Sequence, residues 1–331
     1  MVVAAAAKRA EPARRRTDMA KVSPQMIKDL RERTQAGMSD CKSALEEAEG
    51  DLEKAVEVIL KKGIVKAAAR AGKVATEGEV RTSISDGGLR GTIVEVNTQT
   101  DFVARGEDFR DFVGKVLDAA SKLAKGADLG AAKYPSGGTV EDARKALVGK
   151  TGENTVVRRW DTVQAKAGGL VHSYIHMGGK LAVLVEAYAP EGKSKDKEFL
   201  EFVDNCAMQI AAMNPLVVSK DKLGKADVDK QKEIYVAQMT EEKAAGTLKA
   251  PEAAWPKIIE GKVNKWFTEV TLLGQESVTT PGFTVEKIRE DLSKKLGGDV
   301  RIASFVRFSL GEGIEKPKDD LAAEVAKMTG V

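Results

Sequence analysis

Cysteine is scarce in this chain: only Cys41 and Cys206 occur in 331 residues. A disulfide framework is excluded, and each cysteine falls inside an amphipathic helical pattern, which points to a reducing compartment. Long apolar runs are missing too. The longest are strand-sized, such as residues 181–187 (LAVLVEA), far short of the ~20 residues a membrane-spanning helix needs. Histidine occurs twice, at His172 and His176. They share one face of a strand pattern with no third ligand nearby, a poor metal site. No G-x-x-x-x-G-K-[ST] loop and no G-x-G-x-x-G after a strand is present, and no nucleophile has a recognisable base and orienter. The pairs Gly87-Gly88, Gly168-Gly169 and Gly178-Gly179 are accounted for as turns. Neither a catalytic site, a bound cofactor nor a resident metal is therefore expected.

A basic face is also lacking once the charge is located. The net charge is +3, but residues 1–21 hold six bases against two acids, which leaves 47 bases and 48 acids in the rest. A near-neutral body carries no electrostatic footprint for nucleic acid. Residues 1–20 lack the apolar segment of a secretory signal. They are rich in Ala and Arg, as transit peptides are, yet contain Glu11, Pro12 and Asp18 and little Ser. They read as a disordered extension to a cytoplasmic protein; a cleaved transit peptide would instead place the protein in a mitochondrion or plastid.

What is present begins with helices. Ser23-Pro24 is an N-cap and first-turn pair ahead of Met26, Ile27 and Leu30. Gly37 breaks the chain, Ser39 is placed to cap a second helix carrying Cys41, Ala44, Leu45 and Ala48, and Gly50 ends it. A third stripe, Leu52, Ala55, Val56, Ile59 and Leu60, is expected to stop at Gly63. Three short helices in so short a span resemble a bundle of the ubiquitin-associated type, and residues 66–73 are expected to continue as a helical connector.

A duplication follows. At an offset of 91 residues, VRTSISDGGLRGTIVEV (80–96) aligns with VHSYIHMGGKLAVLVEA (171–187). Val80 meets Val171, Gly87-Gly88 meets Gly178-Gly179, and Glu95 meets Glu186. Each copy reads as two strands around a Gly-Gly turn, then a helix: Phe109, Phe112, Val113 and Val116 in one, Phe199, Phe202, Val203 and Cys206 in the other. Two related α+β subdomains result. In the second copy strand and helix are joined by the charged loop PEGKSKDK (190–197). In the first, the join contains Asp101-Phe102-Val103. The same connection is possible without an aromatic, so the fold has little structural need for Phe102.

Farther on, Val228, Tyr235 and Met239, then Trp255, Ile258, Ile259, Val263, Trp266 and Phe267, mark two amphipathic helices forming a projecting hairpin, whose aromatic residues are expected to pack together. Residues 301–308 (RIASFVRF) alternate as a late strand returning to the second subdomain. A short terminal helix carries Leu321, Val325 and Met328. The alternatives are an adaptor that binds a peptide or ubiquitin-like partner through the helical bundle and, third, an RNA-binding translation protein, against which the near-neutral body argues.

Several of these segments resemble the elongation factor Ts family: LRERTQAGMSDCKSAL (30–45), TDFVARGEDF (100–109), SYIHMGGKLAVLVE (173–186), AMQIAAMNP (207–215), RFSLGEGIEK (307–316) and DDLAAEVA (319–326). The resemblance covers residues 21–331 and implies an α+β multidomain protein. Its expected units are an extension (1–20), a ubiquitin-associated-like domain with connector (21–73), a first core subdomain (74–168), a second (169–216 and 269–313), an inserted dimerisation-type hairpin (217–268) and a C-terminal module (314–331). It implies a non-catalytic guanine-nucleotide exchange factor that binds the GDP form of elongation factor Tu, and a homodimer through 217–268 as one arrangement. By the same resemblance Thr100, Asp101, Phe102 and Val103 form the segment that dislodges Mg2+ from that GTPase, with Phe102 entering an apolar pocket and Asp101 acting near the metal. His176 matches a further contact, and Lys28, Arg31, Met38 and Lys42 match contacts of the N-terminal domain. Ser39 stands where relatives carry a second Met.

Overall fold

The central strands set the architecture, because their residues are apolar on both sides. In the computed structural model, which describes residues 22–34 and 36–315, β1 (Glu77–Ser85), β2 (Arg90–Thr98) and β3 (Thr155–Gln164) form one antiparallel sheet in the order β1-β2-β3. A second sheet has the order β4-β5-β6, built from β4 (Gly169–His176), β5 (Leu181–Tyr188) and β6 (Arg301–Ser309). Strand side chains alternate between faces. Val94 and Val96 of β2 accordingly point to a core with α5 (Glu107–Ala120), while Ile93 joins Val80, Val163, Val171, Ala182, Leu184 and Phe308 between the sheets. Val183 and Val185 of β5 point the other way, to α7 (Lys197–Met213) and α10 (Val285–Leu296). The layers are thus helices, sheet, sheet, helices, and the runs TIVEV and LAVLV read as continuous rather than alternating because both of their faces are covered.

The repeat is longer than the hairpin and helix expected from the sequence. Each sheet has a third strand: β6 is the late strand expected over residues 301–308, returning to the second sheet, whereas its counterpart β3 and the preceding helices, α6 (Val140–Thr151) and α10, are not among the expected elements. Both helices are capped by a threonine hydroxyl, Thr139 accepting from Asp142 N and Thr284 from Lys287 N. In both, an arginine clamps the helix to the following strand: Arg144 grips Glu141 and donates to Thr155 O at 2.9 Å, and Arg289 grips Glu286 and donates to Val300 O at 2.8 Å. TVEDAR (139–144) and TVEKIR (284–289) are the sequence signal for these elements. Each central strand also bulges at its glutamate, at Glu95/Val96 and at Glu186/Ala187.

At the N-terminal end, α1 (Pro24–Thr34), α2 (Met38–Glu47) and α3 (Leu52–Arg70) enclose Leu30, Cys41, Ala44, Leu45 and Ala55. Ser23 Oγ accepts from Met26 N, as expected of the cap. Two expectations fail here. The N-cap of α2 is Gly37 rather than Ser39, which lies exposed in the first turn. The third helix does not stop at Gly63 but runs through it to Arg70. The reason is a close helix crossing: a Cβ on Gly63 would sit 3.3 Å from Lys145 O of α6, and one on Gly149 would sit 3.3 Å from Gly63 Cα. Gly63 lets two backbones meet, and that contact outweighs its modest cost inside a helix.

In the second half, α8 (Lys225–Ala244) and α9 (Trp255–Val270) pack on each other. Lys243 lies over Trp255 and Lys262 over Tyr235, so contacts pair residues moving away from the connecting loop in both directions, and the helices are antiparallel. The aromatics do not cluster as expected, for Trp266 packs on Phe267 while Trp255 and Tyr235 each carry a lysine. The pair rejoins the body at a bridge between Val217 and Thr271. The expected extension lies outside the described residues, and so does the C-terminal module from residue 316 onward. No helix among the described residues is long and apolar enough to cross a membrane.

Candidate functional site

At the end of β2 the chain makes a five-residue helix, α4 (Asp101–Arg105), where the sequence suggested only a connection. A helix this short does not hold itself, since nucleation costs more than one turn returns. Its anchors are specific. Thr100 is the N-cap, its hydroxyl accepting from Val103 N at 3.3 Å. The carboxylate of Glu153, on the turn after α6, accepts from Thr100 N at 3.0 Å, Thr100 Oγ1 at 2.7 Å and Thr98 Oγ1 at 3.1 Å. Val103 packs on the first core beside buried Ala104. Glu153 is itself held between Gly152, left-handed at φ 73°, and Asn154, whose side chain is buried and donates to Lys73 O at 2.8 Å. No local pattern announces Glu153, because it lies 53 residues from the threonine it holds.

The four residues TDFV therefore divide. Thr100 and Val103 fix the turn; Asp101 and Phe102 project from it. Phe102 is 85% exposed, although burying such a ring would contribute about 1.5–3 kcal/mol. A ring already outside needs no loop opening to reach a partner. Asp101 pairs with Arg105 one helical turn on, at 3.0 Å, and both keep contact with water.

Both residues line a cleft of about 850 Å³ between α4, the start of β1 and the β4–β5 turn. Glu77, Glu79, Arg110 and Lys180 supply mixed charge at its walls, while Phe102 and Met177 supply apolar surface. The β4–β5 turn is fastened to the first sheet: Val80 N donates to Gly179 O at 2.7 Å, and Lys180 pairs with Glu77 at 2.6 Å. His176 ends β4 just before this turn, exposed, its Nδ1 3.1 Å from the Tyr174 hydroxyl. His172 pairs instead with Asp204 of α7 at 2.8 Å. The two histidines do share a strand, but each has its own partner. No group of His, Cys, Asp or Glu suited to a metal ion occurs among the described residues.

Lys28, Arg31, Met38 and Lys42 lie apart from the cleft, exposed on α1 and α2. Met38 stands 62% exposed at the first position of α2. Lys28 and Lys42 make only loose pairs along their helices, 3.9 Å from Glu32 and 3.8 Å from Glu46. The helical unit nonetheless connects to the cleft through α6, which α3 crosses at Gly149, and whose following turn carries Glu153.

The sequence profile described as elongation factor Ts matches residues 99–312. Elongation factor Ts of a Nitratiruptor species is 42% identical over 312 residues, covering 92% of this chain and 98% of the relative. That of Clostridium perfringens is 42% identical over 311 residues, 93% and 99% of the two chains, and that of Clostridium kluyveri 42% over 311 residues, 92% and 98%. With the family profile matching residues 99–312 and similarity to these relatives spanning nearly its whole length, this chain belongs to the elongation factor Ts family.

Proposed function

We propose that the chain promotes GDP release from elongation factor Tu by inserting the Asp101-Phe102 tip of α4 beside that GTPase's Mg2+ and phosphate site. Family membership makes the protein a non-catalytic nucleotide-exchange factor for this partner. The observation that carries the choice of residues is Phe102, 85% exposed on a turn that four hydrogen bonds hold. GDP and Mg2+ stabilise each other in the partner because the cation neutralises phosphate charge. A ring and a carboxylate that displace the metal weaken nucleotide binding, and by linkage nucleotide weakens the factor's binding equally. Each ~1.4 kcal/mol of that coupling is a tenfold change. GTP then completes the cycle by expelling the factor, and no step needs a catalytic group on this chain.

In this reading Thr100 and Val103 position the tip, and His176 contacts the partner from the second subdomain. Lys28, Arg31, Met38 and Lys42 form a separate contact on a ubiquitin-associated-like unit, residues 21–73. The duplicated subdomains, 74–168 and 169–216 with 269–313, carry the cleft, and the hairpin inserted at 217–268 is the surface through which two copies pair. Ile234 and Val236, exposed on α8, supply apolar area for that pairing. The setting is the cytoplasm, or an organelle if residues 1–20 prove to be cleaved. The test is release of fluorescent GDP from elongation factor Tu, with and without the protein. Acceleration by the wild type and slower release with Phe102→Ala at unchanged melting temperature are the expected results. An unchanged rate with the wild type would refute the exchange reading, and unfolding of Phe102→Ala would show that the ring serves the fold.

A further inference from the structure

The two Gly-Gly hairpins share one backbone conformation, and they differ in a way the fold does not require. In the first, Asp86, Gly87 and Gly88 have φ of 52°, 65° and 95°; in the second, Met177, Gly178 and Gly179 have 48°, 64° and 95°. The leading position is left-handed in both. Asp and Asn tolerate that conformation because their short polar side chains bond locally, whereas a long side chain gains nothing there and is strained. The first hairpin follows the rule with Asp86. The second breaks it with a methionine that is 74% exposed, so Met177 carries both strain and unburied apolar surface.

The base beneath it is rigid. Gly179 is held by Val80 N, and a Cβ on Gly179 would come within 2.8 Å of Glu79 Cγ and 3.1 Å of Val80 O. Met177 is therefore presented on a fixed platform into the cleft that also holds Phe102, and strain kept in place by surrounding structure is a mark of function. Asp86 does not line that cleft.

We propose that Met177 is a second apolar anchor for elongation factor Tu, engaging the partner together with Phe102 from the β4–β5 turn that lines the same cleft. This rests on the exchange-factor reading above. A thioether is flexible and polarisable, so it fits a partner surface that moves as nucleotide leaves. Phe102 acts on the nucleotide site and governs the maximal release rate; Met177 adds affinity and governs the concentration at which release half-saturates.

The experiment titrates wild type, Met177→Asn, Met177→Leu and Phe102→Ala against elongation factor Tu loaded with fluorescent GDP, and measures the melting temperature of each free protein. Met177→Asn is expected to melt higher by about 2 °C, because Asn suits the left-handed position. It is also expected to need about tenfold more protein for half-saturation, with the maximal rate preserved. Met177→Leu should half-saturate within about twofold of wild type, since it keeps the apolar contact. Half-saturation of Met177→Asn at the wild-type concentration, while Phe102→Ala is impaired, would overturn the inference alone. So would Met177→Leu as weak as Met177→Asn. No acceleration by the wild type would overturn the exchange reading and this inference with it.

Discussion

Replacing Glu153 by alanine separates presentation of the α4 tip from the tip's own chemistry. The carboxylate accepts three hydrogen bonds, two from Thr100 and one from Thr98. Bonds to a charged acceptor contribute about 1.5–3 kcal/mol each when desolvated, but Glu153 is only half-buried and water replaces part of the loss. The net local cost is then about 1.5 kcal/mol. A five-residue helix has no reserve to absorb it. If the presented conformer then falls to about a tenth of the population, the apparent affinity for the partner falls about tenfold. Titrated GDP release should therefore show a half-saturating concentration up to about tenfold higher with the maximal rate unchanged. Amide exchange at Val103 and Ala104 should quicken while α5 stays protected. Adding Phe102→Ala should lower the maximal rate as much in the Glu153→Ala background as alone, because saturating partner restores the presented tip. Unchanged half-saturation, or a lowered maximal rate with Glu153→Ala alone, would refute the reasoning.

Other outcomes follow from the same structure. Burial pushes the Glu95 carboxyl up, but hydrogen bonds from Gly311 N, Arg158 and Arg159 outweigh it and hold the group below the ordinary carboxylate range. A depressed folded value means that this contribution is complete above the unfolded value near 4.5 and is lost as pH falls through the folded one. Glu95→Gln should thus lower stability at neutral pH by about 3 kcal/mol, leaving two guanidiniums without their carboxylate, and flatten the acid limb of a melting-temperature profile. Gly63→Val should drive a side chain into the α3–α6 crossing and destabilise by about 1–3 kcal/mol, read as a lower denaturation midpoint. Replacing Lys28, Arg31 and Lys42 together by alanine should leave melting nearly unchanged, as exposed pairs contribute little. The same triple change should slow association with elongation factor Tu and reduce its salt dependence in stopped flow.

Local chemistry makes much of this molecule readable. Ser23-Pro24 announces α1, the Gly-Gly pairs announce both hairpins, and apolar spacing announces α5, α7, α8 and α9, because caps, turns and helix faces depend on neighbours a few residues away. The duplication marks Phe102 as a residue the fold does not need, and its 85% exposure agrees. Gly63 reads wrongly as a stop, since nothing within its own helix says that a second backbone lies 3.3 Å beyond where its Cβ would be. Ser39 reads wrongly as a cap because the first turn of α2 begins earlier, at Met38 after Gly37. β3 and α6 escape a local reading although TVEDAR repeats as TVEKIR, a signal that emerges only when segments 145 residues apart are set side by side.

By itself the sequence determined the helical start, the paired hairpins, the absence of catalytic motifs and the segments that resemble the family, all properties written in short spans. Only the tertiary structure decided that Thr100 and Val103 hold the tip while Asp101 and Phe102 project, that Glu153 is the anchor, and that Met177 faces the same cleft. Those are matters of which distant segments the two sheets bring together, and a hydrogen bond between residues 53 apart has no local period to reveal it.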